Sequence, residues 1–210
     1  MLVPETISTI RVTMIGLGNI GNNSLISLAR MGVRHFTLYD PDTVAAENVY
    51  PSGFGIADVG FLKVRVAKQQ MQQQLGHYPG DSDIQAREQR YIDQPGETDI
   101  VIIGTDTMSS RRTAWEQNQL DWKLWIDGRM GADRCEIYTA TRGGDNSYYE
   151  HRLTVGESPL ACGEKATAPL TTGIIPGLIS SIVFQWINGK PIPREYFFSM
   201  GDSFFSQRMR

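Results

Sequence analysis

The first half of the chain alternates short β-rich runs with stretches of helical periodicity. Residues 11–15 and 35–39 are mostly apolar, β-branched or aromatic, and between them apolar side chains recur at helical spacing over 22–31. This pattern predicts one β-α-β unit, which favours a parallel sheet with right-handed crossovers. The alternation continues, with helices predicted at 63–75 and 109–120 and strands at 84–86, 99–103 and 124–127.

The alternation stops after Gly128. Residues 135–141 and 148–153 flank a Gly-rich turn, and we therefore expect an antiparallel hairpin there. A long apolar helix is predicted over 171–187, and an aromatic strand follows it at 196–198.

These elements predict an α/β fold with a Rossmann-like, mostly parallel sheet flanked by helices. We expect a single domain, in which residues 1–128 form the nucleotide-binding core and residues 129–210 form an antiparallel and helical extension. A separate segment, residues 43–61, has little periodicity and several glycines. A loop of that length in a compact domain is usually functional or mobile.

Composition narrows the classes of partner. The formal net charge of −3 argues against a nucleic-acid-binding protein, because such proteins carry a surplus of Lys and Arg on one face. No apolar stretch approaches the roughly 18–20 residues of a membrane-spanning helix. The chain has two cysteines, which are too few for a disulfide framework or a four-thiolate zinc site. We therefore expect a cytoplasmic protein with reduced thiols and neither a nucleic-acid nor a membrane partner.

The most informative motif is the glycine-rich turn that follows the first predicted strand. Gly16 permits a tight turn, Gly18 lets the backbone approach phosphate oxygens, and Gly21 lets the helix pack closely on the strand. The start of the helix presents unpaired N–H donors and a partial positive charge to an anion. The predicted phosphate-binding residues are Gly16, Gly18, Asn19, Ile20 and Gly21.

Three further residues are predicted near the same end of the sheet. Asp40 lies 24 positions after Gly16, at the end of the second strand, which suits a ribose hydroxyl pair. Lys63 opens a helix, where its ammonium group can neutralise triphosphate charge. Asp106 follows a strand, where its carboxylate can hold Mg²⁺. The alternatives are that Lys63 is a solvated first-turn lysine and that Asp106 is a helix N-cap.

In their order along the chain these residues resemble the ThiF/MoeB/HesA family, the adenylating relatives of ubiquitin-activating enzymes. The resemblance covers roughly residues 8–190, and no single motif in it is specific by itself. The segments that carry it are Ile15–Gly21, Tyr39–Val44, Glu47-Asn48, Gly60–Lys63, Thr105-Asp106 with Arg111, and Cys162 with the predicted helix after it.

The resemblance implies ATP- and Mg²⁺-dependent adenylation of the C-terminal carboxylate of a ubiquitin-like or sulfur-carrier protein, whose last residue is glycine. It also implies a homodimer. The glycines with Asp40 and Asp42 would bind the nucleotide, Asn48 and Lys63 would contact phosphates, and Asp106 would bind the metal. Cys162 would be a thiol nucleophile that receives the activated carboxylate, whereas a small buried side chain is the alternative for it. Cys135 is predicted to be structural.

The sequence departs from the family pattern at several positions. Pro51 stands where the family usually has an arginine, Thr107 follows Asp106 where Asn is common, and the N-terminal arginine motif is missing. Arg65, Arg111 and Arg129 are the candidates to replace the missing charge. The two cysteines also rule out the structural zinc that relatives commonly bind. These departures favour a catalytically reduced binding or scaffolding subunit as the alternative, and the glycine motif alone leaves an NAD-dependent oxidoreductase as a third.

Overall fold

An eight-stranded mixed sheet forms the centre of the molecule. The computed structural model describes residues 5–75, 82–92, 95–131, 133–155 and 169–209. The strands of the central sheet lie in the order β10-β9-β8-β7-β5-β1-β2-β3. They are β1 (Arg11–Ile15), β2 (His35–Tyr39), β3 (Asp83–Arg87), β5 (Ile100–Ile103), β7 (Leu124–Met130), β8 (Arg134–Thr141), β9 (Glu195–Ser199) and β10 (Phe204–Arg208). A small separate sheet pairs β4 (Gly96–Glu97) with β6 (Leu120–Asp121).

Five strands of the central sheet, β1, β2, β3, β5 and β7, run parallel. Strands β5 and β7 are buried along their whole length, and their continuous apolar character is what a parallel sheet covered on both faces requires. In the register, Ile15 lies opposite both Tyr39 and Ile103. The carboxyl ends of three neighbouring strands are therefore level, and the residues that follow them meet at one edge of the sheet.

Helices cover both faces of this sheet. The helices are α1 (Asn19–Met31), α2 (Lys63–Leu75), α3 (Met108–Glu116), α4 (Ser147–Thr154) and α5 (Pro169–Ile187). Residues of α1, α2 and α5 share the larger apolar core, and residues of α3 and α4 share the smaller one. Helix α5 continues through Pro176. Within the described ranges, no helix combines the length and the apolar character needed to cross a bilayer.

The mixed α/β architecture agrees with the sequence prediction, but the expected hairpin is wrong. Residues 148–153 lie in helix α4 and do not form a strand. Strand β8 pairs with β7 on one side and with β9 on the other, so it has no free edge for a further strand. Tyr149 and Leu153, four positions apart, are both buried, as one face of a helix requires. Among the described residues, the antiparallel strand pairs are β7-β8, β8-β9 and β9-β10.

Other element boundaries also differ from the prediction. The helix expected to end at residue 120 stops at Glu116, because the chain leaves it to form β6 beside β4. The crossover segment at 43–61, expected to be a loop, contains two short 3-10 turns, at Ala46–Asn48 and Ile56–Asp58.

Candidate nucleotide-binding site

The glycine turn lies where the ends of β1, β2 and β5 come together. The Gly16 N–H donates to the Tyr39 carbonyl at 2.8 Å, and the Gly104 N–H donates to the Ile15 carbonyl at 2.9 Å. These two bonds tie the residues that follow each strand to the neighbouring strand. The first glycine of the motif is therefore fixed at the carboxyl edge of the sheet, where α/β proteins bind their ligands.

The three motif glycines have different steric surroundings. Gly16 has φ +88°, a conformation that residues with a side chain rarely adopt. A Cβ atom on Gly21 would lie 1.9 Å from the Gly16 carbonyl oxygen, so only glycine fits there. A Cβ atom on Gly18 would meet nothing within 4 Å. Gly16 and Gly21 are thus needed for the turn itself, whereas Gly18 leaves space open beside the backbone.

The N-terminus of α1 is left without a cap. Gly18 supplies no capping side chain, and the first turn contains no acidic residue. The N–H groups of Asn19, Ile20 and Gly21 have no acceptor within the helix, as in any first turn. The Asn19 Nδ2 atom is buried and has no hydrogen-bond partner among the described residues. These donors together with the helix dipole suit a phosphate group.

Asp40 is buried and fastened to the glycine turn. Its carboxylate accepts a hydrogen bond from the Leu17 N–H at 2.6 Å and another from the Asp42 N–H at 2.8 Å. Burial raises the pKa of Asp40, against the lowering effects of the Lys63 charge and of these two N–H donors. Asp40 was predicted as a ribose ligand, and the structure shows that it also holds the turn in shape.

Lys63 is brought to the same place. Its ammonium Nζ lies 3.3 Å from an Asp42 carboxylate oxygen, and its backbone N–H donates to the Asp42 carbonyl at 3.0 Å. Only 8% of the residue is exposed, which does not fit the alternative of a solvated first-turn lysine. Its charge acts on Asp40, which in turn binds Leu17. The sequence-predicted Asp40, Asp42 and Lys63 are therefore one cluster at the glycine turn.

The crossover segment is held against α1 and α2 by side-chain amides. Asn23 Nδ2 donates to the Pro51 carbonyl at 2.7 Å, and Asn22 Nδ2 donates to the Ser52 carbonyl at 2.8 Å. Pro51 is thereby placed beside the first turn of α1, but it brings no charge there. The Asn48 Oδ1 atom accepts from the Ala45 N–H at 3.0 Å, inside its own 3-10 turn, so contact between Asn48 and phosphates stays a prediction.

Asp106 follows the loop that supports the glycine turn. A Cβ atom on Gly16 would lie 3.1 Å from Gly104 and Thr105 backbone atoms, so this loop touches the turn directly. Asp106 is exposed and has no hydrogen bond or ion pair with any described residue. Thr107, not Asp106, caps α3, since its hydroxyl accepts from the Ser110 N–H. The N-cap alternative for Asp106 is therefore wrong.

The loop at 104–107 carries one acidic residue, Asp106. A single carboxylate can bind Mg²⁺ only if a bound ligand supplies further oxygen atoms. Among the described residues, no group of three or more His, Cys, Asp or Glu side chains could hold a metal ion. Mg²⁺ is usually bound by one or two carboxylates plus substrate phosphates, and the exposed carboxylate of Asp106 beside the glycine turn would fit that mode.

The arginines considered as replacements for the missing charge are engaged elsewhere. Arg111 and Arg129 are buried, and both pair with the buried carboxylate of Asp127. Arg65 is exposed and pairs with Glu88. The expectation that Arg111 or Arg129 contacts phosphates is not supported by these contacts. Asp127 was not predicted as a charged partner, although Asp127 and Arg129 alternate along a buried strand, which places both on one face of the sheet.

The two cysteines were predicted to have different roles, Cys135 as a structural residue and Cys162 as a nucleophile. Cys135 lies buried in β8, as predicted for a structural residue, and burial, with a smaller effect of Glu136, raises its pKa to about 11. A thiol with so high a pKa is poorly nucleophilic at neutral pH. Cys162 lies outside the described residues, and its role as a nucleophile stays a prediction.

Comparison with known proteins identifies the family. The ThiF family matches residues 3–209, nearly the whole sequence. The chain belongs to the ThiF family. A comparison with curated proteins found no match.

Solved structures of two proteins share the fold. E. coli MccB with AMPCPP and MccA is similar over 99% of this chain and 66% of MccB, with a TM-score of 0.75 and 17% identity. E. coli MccB has also been solved with ATP, at the same similarity. PaaA is similar over 98% of this chain and 65% of PaaA, with a TM-score of 0.71 and 16% identity. The chain thus spans slightly less than two thirds of the length of these proteins.

Proposed function

We propose that this chain is an adenylyltransferase that uses Mg-ATP to activate the C-terminal carboxylate of a small protein. The proposed substrate is a ubiquitin-like or sulfur-carrier protein that ends in glycine. Support for the general class comes from membership of the ThiF family and from the fold shared with MccB, whose structures include complexes with ATP and with AMPCPP.

The single observation that carries the proposal is the arrangement at the glycine turn. An uncapped helix N-terminus, with the unpartnered amide of Asn19, lies next to the carboxylate of Asp40 and the ammonium group of Lys63. A phosphate chain on the α1 N-terminus satisfies the free N–H groups, and Lys63 offsets its negative charge. We propose that Asp40 accepts hydrogen bonds from the ribose hydroxyls and that Asp106 binds the Mg²⁺ ion held on the phosphates.

In the proposed adenylation, the main task of the protein is to position the substrate carboxylate and ATP. A carboxylate oxygen of the substrate attacks the α-phosphorus of ATP, the bond to the β-phosphate oxygen breaks, and pyrophosphate leaves with the displaced electron pair. The product is an acyl-adenylate. No general base is needed, because a C-terminal carboxylate is already ionised at neutral pH. In-line alignment and cancellation of charge on the phosphate oxygens supply the rate enhancement.

Two further elements belong to this proposal. A thiolate of Cys162 would attack the acyl carbon of the adenylate, forming a thioester and releasing AMP. The chain would act as a homodimer, and the exposed edge strand β10 supports this, since Phe204 and Phe205 on it are 51% and 43% exposed.

ATP–pyrophosphate exchange tests the proposal. Purified protein, Mg-ATP, labelled pyrophosphate and candidate small proteins ending in Gly-Gly are combined, and incorporation of label into ATP is measured. Exchange that depends on the C-terminal carboxylate, and is lost when that carboxylate is amidated, is the expected result. Tight binding of NAD with no binding of ATP would contradict the proposal.

One observation favours a second candidate, a nucleotide-binding subunit with reduced catalytic activity. Pro51 brings no charge to the phosphate site, and Arg111 and Arg129 are both committed to Asp127. Among the predicted phosphate ligands and the candidate arginines, the described contacts bring one cation to the glycine turn, and that cation is Lys63. ATP binding without exchange, in the presence of every candidate substrate, would favour this second function.

A further inference from the structure

Arg111 joins the loop that carries Asp106 to the neighbouring strand. It lies in the first turn of α3 and is 2% exposed. Its guanidinium group donates hydrogen bonds to the carbonyl of Thr105 and to the carbonyl of Gly128, the latter at 2.9 Å. It also pairs with the carboxylate of Asp127. One planar group therefore spans from the residue before Asp106 to strand β7.

Asp127 fixes the orientation of Arg111. The Asp127 carboxylate is fully buried and accepts from Arg129 Nε at 3.0 Å, from Arg129 Nη2 at 2.8 Å and from the Tyr149 hydroxyl at 3.2 Å. The Tyr149 hydroxyl accepts in turn from Trp125 Nε1 at 3.0 Å. Because every partner of Asp127 is itself packed in the core, Arg111 is held in one conformation.

Arg129 provides an internal comparison. It is as buried as Arg111 and binds the same carboxylate, but its other hydrogen bond, of 3.3 Å, goes to the carbonyl of Arg152 in α4. No bond from Arg129 to the loop at 104–107 exists among the described contacts. The two arginines thus share a structural partner, and they differ in their contact with the loop.

The loop at 104–107 affects two parts of the site. Its backbone lies against Gly16, so its position sets the space in which the glycine turn forms. It also carries Asp106, whose side chain is bonded to none of the residues that the structure describes. The hydrogen bond from Arg111 to the Thr105 carbonyl therefore also fixes the backbone position of Asp106, the next residue.

We propose that Arg111 is a positioning residue for the metal–nucleotide site, holding the 104–107 loop so that Asp106 meets the ion on the bound phosphates. The proposal rests on the proposed function of the site. Residues that orient a metal ligand from behind typically contribute about 10–100-fold to metal affinity, and we expect a contribution of that size here.

The test compares Arg111→Lys with Arg129→Lys. A lysine keeps the charge beside Asp127 but cannot bridge several acceptors in one plane. Two readouts are taken: the gain in affinity for AMPCPP on adding Mg²⁺, by calorimetry, and amide hydrogen exchange at Gly104 and Ser110, by NMR. Both amides are hydrogen-bonded, one to Ile15 and the other to Thr107, and they lie on either side of Asp106.

Arg111→Lys is expected to lower the Mg²⁺-dependent gain in affinity about tenfold or more and to speed exchange at both amides. The two substitutions are expected to lower the melting temperature by similar amounts. Arg129→Lys is expected to leave the Mg²⁺-dependent gain in affinity and the amide exchange as in the wild type. If both substitutions changed the two readouts equally, or if Arg111→Lys kept the Mg²⁺-dependent gain in affinity, the positioning role of Arg111 would be overturned. The proposed function of the site would not be affected by that result. Absence of Mg-AMPCPP binding by the wild type would overturn the proposed function and this role with it. Arg111→Gln replaces Arg111→Lys if the latter does not fold.

Discussion

Two aspartates on neighbouring parts of the sheet have opposite surroundings. Asp127, on β7, is fully buried and accepts four hydrogen bonds, from Arg111, Arg129 and Tyr149. Asp106, after the adjacent strand β5, is exposed and has no bond to any described residue. Arg111 connects the two regions, because it binds both Asp127 and the Thr105 carbonyl.

The difference indicates how a structural carboxylate can be told from one that is available to a ligand: the structural one is hydrogen-bonded within the protein. The bonding capacity of Asp127 is used by the protein, so its removal harms the fold. Asp106 bonds to no other described residue, so its removal is expected to leave the fold intact and to weaken only the binding of a ligand. Substitutions at the two sites should therefore differ in their effect on the free energy of unfolding, which is largest in the buried region.

Asp127→Ala should have the largest effect on stability. The substitution leaves two buried guanidinium groups without their shared carboxylate, and breaking a buried ion pair in this way costs about 3–5 kcal/mol. Chemical denaturation measures the loss. A loss below about 1 kcal/mol, the size of an exposed ion pair, would show that the buried region is more adaptable than its contacts indicate.

Gly21→Ala and Gly18→Ala form a matched pair within one motif. Gly21→Ala forces a Cβ against the Gly16 carbonyl, and such overpacking is expected to cost about 3 kcal/mol. Gly18→Ala meets open space at φ −72° and should change stability by less than about 0.5 kcal/mol. Its methyl group blocks the approach of phosphate, so affinity for ATP should fall by about tenfold or more.

Denaturation and calorimetry of both glycine variants check this pair. If Gly18→Ala binds ATP as the wild type does, phosphate does not lie against that backbone, and the second glycine belongs to the structure alone.

Cys135 allows a pH test of the buried region. Its pKa is raised from 9.0 to about 11 by burial, so between these pH values the folded protein keeps a proton that the unfolded chain has lost. The contribution of this thiol to stability is therefore present below pH 9 and declines as the pH rises toward 11. In a Cys162→Ser variant at pH 9.5, iodoacetamide should label the urea-unfolded chain and spare the native one. Rapid labelling of native Cys135 would contradict its burial.

The parallel half of the molecule was largely predictable from sequence. Strands β1 and β2 and helix α2 were placed at their observed boundaries, because each is a local pattern of one period bounded by glycine or proline. The glycine turn was also placed correctly between β1 and α1. Asp40 was predicted near the glycine turn because it ends the second strand, and residues after parallel strands meet at one edge. Lys63 was predicted there because it opens a helix, and Asp42 came only from the family resemblance.

The features that sequence did not predict depend on contacts between distant segments. Tyr148 and Tyr149 have strand propensity, yet β8 already has two partners, so this segment became helix α4. The pairing of Arg111 with Asp127 joins a helix to a strand, and no local spacing reveals it. The bond from the Leu17 N–H to Asp40 was not predicted, because it spans 23 positions.

The most direct test of the account is the Mg²⁺-dependent affinity of the wild type and of Asp106→Asn for AMPCPP, measured by calorimetry. The substitution should change the free energy of unfolding by less than about 0.5 kcal/mol, because the carboxylate is exposed and unbonded. The wild type is expected to bind more tightly when Mg²⁺ is present, and Asp106→Asn is expected to lose that gain while keeping its metal-free affinity. An equal Mg²⁺ gain in both proteins would contradict the account.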